Sequence, residues 1–512
     1  MRNSNQNPKK NSRPAKENIG KSVLRNSLQH SLSTLINRAG GLVFTIIVAR
    51  MLSPELFGIY SLTLSLMLIA LTFADFGLGQ TLIRYVSDSL GKKDKTLARS
   101  YFRYLLKFKL LLAFAFSLAL FLLAKPVSIL IFKNPALVFP IWASSFYLFV
   151  VTILDFLTFA FFAAKVVKFY TVRETIFQIL RVSLTPIALL IFSVKLKVVG
   201  IFLALTIASI IALVVTIYFL RKNYSFLFTG KEKWIDKKKL LRFSFLLIIG
   251  ILPGVFFTYI DSIILGAMVP VEYVGFFRAA YTISTSIGSL LMFYLVLMPF
   301  FTQLEGKELQ NLFKKIFHFS SIVAFPLAFG VAILSVPVIS LLFGQEYLPA
   351  ALPLRILSFM VIDIALFSYF PAIFQAKEKP EVPTKLVAIA AALNIALNLI
   401  LIRYFVSIDV SLGMVGASIA TFISRFAFGL TIGFMAARQL KLKPDASSIF
   451  KPLFASIIMS AFLILLMNAL PNTIAYWILG AISAAVIYLL VLFLIKGIKK
   501  EDFSYIKEML SR

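Results

Sequence analysis

Nine ionisable residues stand inside long apolar runs of this chain: Arg38, Arg181, Arg278, Arg355 and Arg425, with Asp75, Asp155, Asp261 and Asp363. Arginine keeps its charge in a protein and presents a planar fork of donors that matches phosphate oxygens. Several such forks around one cavity would suit an anionic head group such as a pyrophosphate. The carboxylates would limit the positive charge, pair with arginines as gates, or hold a coupling cation; Asp75, Asp261 and Asp363 are assigned to gating or ion coupling. Plainer readings stand beside these: a structural salt bridge, or an arginine near a span end reaching to the interface. Asp363 is two helical turns from Arg355, too far for a local pair. Asp155 fits a lone helix-to-helix hydrogen bond. Asn394 and Asn398, on one helix face, read as interhelical glue, and His318 near a span end is the weakest proton candidate.

The elements that must position these charges are membrane helices. Sixty per cent of the 512 residues are hydrophobic and 14% are charged, and mean hydropathy is +0.92; a soluble domain is about half apolar and about a quarter charged. About 20 helical residues span a bilayer core, and runs this long are helical, because barrel strands are about ten residues and alternate. Fourteen spans are expected: 27–49, 57–78, 104–124, 139–164, 174–193, 198–220, 241–268, 273–299, 314–343, 352–375, 384–405, 412–436, 452–470 and 474–495.

The loops between them alternate in charge. One set carries most of the lysines and arginines, including Lys92, Lys93 and Lys95, then Lys237, Lys238 and Lys239, and later Lys377, Lys379 and Lys385. The opposite set holds only Arg50, Lys125, Lys133, Lys195, Lys197 and Arg403. Positive residues favour the cytoplasmic side, which places both termini there. The net charge of +30 therefore reads as topology and contact with anionic membrane lipid, not nucleic-acid binding. The chain has no Cys, hence no disulfide, thiolate nucleophile or Cys-ligated metal. No cofactor or metal motif is found. Residues 1–22, rich in Asn, Lys, Ser and Pro, lack the pattern of a cleavable signal peptide.

The chain also repeats itself. MLSPELFGIY at 51–60 aligns with MVPVEYVGFF at 268–277, a shift of 217. Ala164-Lys165 matches Ala376-Lys377, and Val199-Gly200 with Ala204 matches Val415-Gly416 with Ala420, at nearly the same shift. A duplicated six-helix unit follows, with a pseudo-twofold along the membrane normal and a site between the halves. The expected layout is a basic cytoplasmic tail (1–26), a first lobe (27–220), a basic linker (221–240), a second lobe (241–436), and two further helices with a cytoplasmic tail (437–512). Gly40 and Gly41 interrupt the first span, and Pro253 and Gly254 interrupt its counterpart, the seventh. Paired interruptions point to hinges at a transport site; close helix packing through small residues is the plainer reading.

The stretches NRAGGLVFTIIVARMLSPELFGIY (37–60), DFGLGQTLIRYVSDSLGK (75–92) and YIDSIILGAMVPVEYVGFFRAAYTIS (259–284) resemble the polysaccharide-biosynthesis flippases, Wzx-like members of the multidrug/oligosaccharidyl-lipid/polysaccharide exporter superfamily. The resemblance covers nearly the whole chain after the N-terminal tail. It implies two six-helix lobes in a V and alternating access, with an undecaprenyl- or dolichyl-linked oligosaccharide as cargo. The first helix is distantly similar to the Ser-Arg…Gly…Ala-Arg pattern of MurJ lipid II flippases, here Asn37-Arg38, Gly41 and Ala49-Arg50. That family's Arg-Asp pair after the glycine is replaced by Phe44-Thr45, which argues against the same contacts with lipid II.

Other classes fit less well. The external loops are short and hold no catalytic cluster, against a glycosyltransferase or polymerase. Neither Gly91-Lys92 nor Gly230-Lys231 belongs to a phosphate-cradling loop of an ATP-driven pump. A cation-coupled drug antiporter of the MATE type shares the expected fold, but the five intramembrane arginines favour an anion. The expected protein is an all-α, non-enzymatic, monomeric flippase of the cytoplasmic membrane, working beside glycan-assembly enzymes. Arg38 and Arg278 would hold the phosphates with help from Arg181, Arg355 and Arg425. The drive is left open between a sodium or proton gradient, membrane potential and consumption of cargo.

Overall fold

The computed structural model describes residues 40–292, 301–469, 471 and 473–498, and their regular structure is all helical. Among the described residues eleven helices are long and apolar enough to cross a membrane, or twelve if the pair Gln345–Leu357 and Met360–Ala376, bent by 44°, is one span. Of the fourteen expected spans, 27–49 is described only from Gly40 and 273–299 only to Met292, so Arg38 lies outside the described residues.

The first group of helices is α1 (Gly40–Met51), α2 (Pro54–Asp75), α3 (Leu78–Gly91), α4 (Lys95–Pro126), α5 (Val138–Ala163), α6 (Val167–Ile191) and α7 (Lys197–Tyr224). The second is α8 (Lys237–Met268), α9 (Val271–Leu290), α10 (Gly306–Ile333), α11 (Ser335–Leu342), α12 (Ala351–Leu357), α13 (Met360–Phe367), α14 (Phe370–Ala376), α15 (Glu381–Ile408) and α16 (Gly413–Gln439). The last pair, α17 (Ser447–Ala469) and α18 (Ile474–Leu494), packs on α10. Local chemistry sets the starts. Ser53 caps α2 with Pro54 in its first turn, and Asp94 and Asp236 cap α4 and α8, each oxygen taking an otherwise orphaned N–H.

Several expected spans are broken. Run 57–78 stops at Asp75, where Phe76 (φ 50°) and Gly77 (φ 70°) take left-handed backbone before α3 resumes. Run 314–343 divides at Leu334, just before Pro337, and 352–375 divides at 358–359 and again before Pro371. A proline has no N–H to continue the ladder and disfavours helix in the residue before it. The expected interruption at Pro253-Gly254 does not occur, because α8 runs through it unbroken. Thr258 donates its hydroxyl to the Gly254 carbonyl one turn back. Gly40 and Gly41 are helical at the first described residues of α1, and the residues before them lie outside the described residues.

The repeat becomes a contact where α2 crosses α9. A Cβ on Gly58 would stand 2.0 Å from the Val271 carbonyl oxygen, and one on Gly275 would stand 2.3 Å from that of Pro54. Pro54 and Gly58 correspond to Val271 and Gly275 at the 217-residue shift, so the contact is reciprocal, as across a twofold axis. Tyr347 seals this end, donating to the Ala49 and Leu52 carbonyls at 3.0 and 3.1 Å, and Arg50 Nε donates to the Leu342 carbonyl at 2.8 Å. Gly58→Val and Gly275→Val are each expected to hold the two groups apart here, with equal effect. With a cysteine introduced at Tyr60 in this cysteine-free chain, both variants should speed labelling by a membrane-impermeant thiol reagent; unchanged labelling would discard the gate.

At the lysine-rich end the groups touch again. Thr81 and Ser244 hydroxyls stand 2.7 Å apart, and Arg84 lies 4.4 Å over the Phe243 ring. The expected linker 221–240 is shorter than its boundaries, since α7 reaches Tyr224 and α8 starts at Lys237. The intervening strap is bound to α4. Arg99 Nε donates to the Phe226 carbonyl at 2.6 Å, Arg103 pairs with Glu232 at 2.9 Å, and the Lys233 N–H donates to Ser100 at 2.7 Å. The Lys233 ammonium, 2.8 Å from Asp94, also holds that carboxyl below its ordinary range.

Candidate functional site

Three arginines lie against aromatic rings within the spans. Arg181 on α6 lies 4.5 Å from the Phe44 ring of α1, and its Nε and Nη2 are buried without a hydrogen-bond partner among the described residues. Arg278 on α9 lies 5.0 Å from the Tyr281 ring and 5.9 Å from that of Tyr259, with Nη1 equally unpartnered. Arg425 on α16 donates to the Tyr281 hydroxyl at 3.0 Å and sits 3.9 Å from Asp363, leaving Nε unpartnered. Tyr281 thus stands between Arg278 and Arg425. Tyr60, buried on α2, stands in the field of both Arg181 and Arg278, which joins the two groups' arginines into one site. Aromatic faces can support neighbouring guanidinium groups. A buried donor without an acceptor costs about 1–3 kcal/mol or more, so a cluster of them is shaped for an oxygen-rich anion.

The carboxylates divide by environment. Asp363 on α13 is buried, is served by Arg425, and keeps Oδ1 unpartnered among the described residues; only a glycine fits opposite, since a Cβ at Gly429 would stand 2.7 Å from that oxygen. Asp261 on α8 is balanced by neutral donors, Asn398 Nδ2 at 2.6 Å and the Thr421 hydroxyl at 2.9 Å. Asn394 reaches Ser424 at 3.1 Å. The two asparagines therefore tie α15 to α8 and α16, as their spacing suggested, and they also surround a carboxylate.

The first group holds a charged chain that hydropathy reasoning missed in part. Lys109 of α4, 1% exposed, stands 2.7 Å from Asp75 at the end of α2. Arg173, just before the expected span 174–193, is buried on α6, pairing with Asp155 at 3.0 Å and with Glu174. Glu174 accepts from Gln178 at 3.0 Å. Asp155, far along α5, is 43% exposed. Gly40 and Gly41 leave room for this chain: a Cβ on Gly40 would come within 3.1 Å of Gln178 Oε1, and one on Gly41 within 4.0 Å of Arg181 Nη2.

Arg355 does not join the cluster. It is exposed, donates to Ser335 at 3.1 Å, and lines a groove with Tyr273, Pro349 and Ser411. The break at 358–359 is the reason, because it places Arg355 and Asp363 on different helices with different outlooks. His318 meets Ser448 at 3.1 Å, joining α10 to α17. Tyr60 and Tyr281 went unread as site residues; for Tyr281 the available signal was its place three positions after Arg278.

A family model described as polysaccharide biosynthesis protein matches residues 23–305, and one described as lipid II flippase MurJ matches 290–495. An uncharacterized membrane protein of Methanocaldococcus jannaschii is 29% identical over 207 residues, 38% of this chain and 39% of that protein. A probable low-salt glycan biosynthesis flippase, Agl15 of Haloferax volcanii, is 24% identical over 201 residues, 38% of this chain and 41% of that one. These matches thus span about two-fifths of each relative. Among solved structures, the lipid II flippase MurJ in an inward closed conformation superposes with a TM-score of 0.73 at 14% identity, covering 90% of this chain and 97% of that one. An inward-facing multidrug resistance MATE family transporter gives 0.64 at 14% identity, with 82% and 99% covered.

Proposed function

Because the chain belongs to the polysaccharide biosynthesis protein family, we propose that it flips a polyprenyl-(pyro)phosphate-linked oligosaccharide across the cytoplasmic membrane by alternating access. The observation that carries this reading is that Arg181, Arg278 and Arg425 each keep a buried guanidinium donor unpartnered among the described residues, with Arg278 and Arg425 sharing Tyr281, in helix groups that touch at both ends. Arg38 belongs with them on sequence grounds. The phosphates bind these forks, the glycan occupies the space between the lobes, and the polyprenyl tail stays in lipid. The lobes are 27–220 and 241–436, with both termini cytoplasmic, and opening alternates between the Gly58–Gly275 crossing and the Thr81–Ser244 contact. Asp363 moderates the charge by holding Arg425.

Asp261, surrounded by Asn394, Asn398 and Thr421, is the group placed to couple a sodium ion or proton to this cycle. The deciding experiment is flipping of a fluorescent polyprenyl-pyrophosphate oligosaccharide in proteoliposomes beside efflux of a cationic dye. Flipping without dye efflux is expected, with Asp261→Asn flipping at a rate that no longer responds to an imposed sodium or proton gradient. Dye efflux driven by either gradient, with no flipping, would replace the flippase with an antiporter.

A further inference from the structure

The strap that binds α4 leaves a groove of about 760 Å³ beside that helix, lined by Tyr104, Lys107, Lys233, Trp234 and Lys237 among others. Its charges do not cancel. Glu232 is held by Arg103, Asp94 by Lys233, and Asp236 accepts from the first turn of α8. Lys107 is exposed and forms no ion pair among the described residues. The Lys237 ammonium rests 5.5 Å over the Tyr104 ring. Trp234 is 85% exposed; an indole so placed beside lysines, next to the exposed apolar face of α4, is the composition of a membrane interface.

Below the groove, α4 carries Lys107, Leu111, Phe114, Leu118 and Phe121 at alternating intervals of four and three, which is one helix face. Leu111, Phe114 and Leu118 are exposed. Phe114, Leu118 and Phe121 then line a second, almost wholly apolar groove of about 440 Å³ against Phe146 and Phe149 of α5. From Lys107 to Phe121 is about 21 Å at about 1.5 Å per residue, more than the roughly 15 Å of one leaflet's hydrocarbon. A cationic pocket thus continues into an acyl-length apolar track on one helix.

We propose that this face is a binding site for one anionic phospholipid of the surrounding bilayer, its phosphate between Lys107 and Lys237 beside the Trp234 indole and one acyl chain along the Leu111–Phe121 track. The site lies outside the arginine cluster and does not depend on what that cluster carries. Because the strap joins the two helix groups, the lipid would fasten the joint to the first of them.

Trp234 can report the occupant. Of the three tryptophans, Trp142 and Trp477 are replaced by Phe, and quenching of Trp234 is measured in bilayers holding phosphatidylglycerol or phosphatidylcholine brominated near the glycerol backbone. Phosphatidylglycerol is expected to be enriched at the indole roughly tenfold over its bulk share. Adding Lys107→Gln and Lys237→Gln should erase that preference and leave quenching by phosphatidylcholine unchanged. Native mass spectrometry of the protein with its tryptophans intact should show a retained phosphatidylglycerol that the double lysine variant loses. Equal quenching by the two lipids, or a preference that survives the double variant, overturns the site. Full displacement by a small excess of polyprenyl phosphate overturns it too, by making the groove a cargo site.

Discussion

Arg278→Ala is expected to lower flipping at least about thirtyfold while leaving the amount of inserted protein and its thermal stability unchanged or slightly raised. Losing one partner of a desolvated charge pair costs about 2–5 kcal/mol, and every 1.4 kcal/mol is about tenfold, so the loss falls on the complex with a phosphate. The free protein loses little. Arg278 Nη1 has no partner to forfeit among the described residues, and the neighbouring Arg425 is relieved of a like charge across Tyr281. Arg181→Ala should behave in the same way for the same reason. Arg278→Lys should recover part of the rate, because the charge returns without the two-pronged fork. Proteoliposome flipping beside a thermal unfolding curve separates the two quantities. A variant that unfolds early, or flips normally, would remove Arg278 from the phosphate site.

Lys109→Ala is expected to do the reverse and unfold the protein first. Its ammonium is buried against Asp75, and removing it leaves a carboxylate close enough to Asp155 to act on it. Breaking a buried pair from one side costs about 3–5 kcal/mol, so the midpoint should fall by roughly 5–10 °C. Pairing Lys109→Met with Asp75→Asn removes both charges and should restore most of that stability. Flipping by the restored protein then tells what the pair does. A stable protein that no longer flips keeps Asp75 as part of a gate at the Phe76–Gly77 break, and full activity reduces the pair to a structural pin.

These two residues show where the sequence is legible. Arg278 stands out because an arginine inside an apolar run is conspicuous, and its type alone suggests an anion. Lys109 lies inside the expected span 104–124, but following Arg99, Arg103 and Lys107 it does not stand out, although it is 1% exposed. Arg173 stands next to the expected span 174–193, yet it is buried and pairs with Asp155 of α5. Asp363 and Arg425 were each noticed, but 62 positions separate them in the chain, and nothing local could pair them. Arg355, eight positions from Asp363 and too far along for a local pair, bonds Ser335 instead.

The chain by itself determined that the protein is a bundle of membrane-length helices, that it contains a repeated unit, and that charges of the phosphate-binding kind lie within its spans. Those properties follow from hydropathy, length and residue type, which are read along one dimension. The tertiary structure decided which charges meet, that Gly58 and Gly275 touch across the repeat axis, that the strap binds α4, and where the spans break. A helix turns about 100° with each residue, so two breaks in 352–375 or a small rotation of α4 redirect every following side chain. Only the packed helices fix that angle.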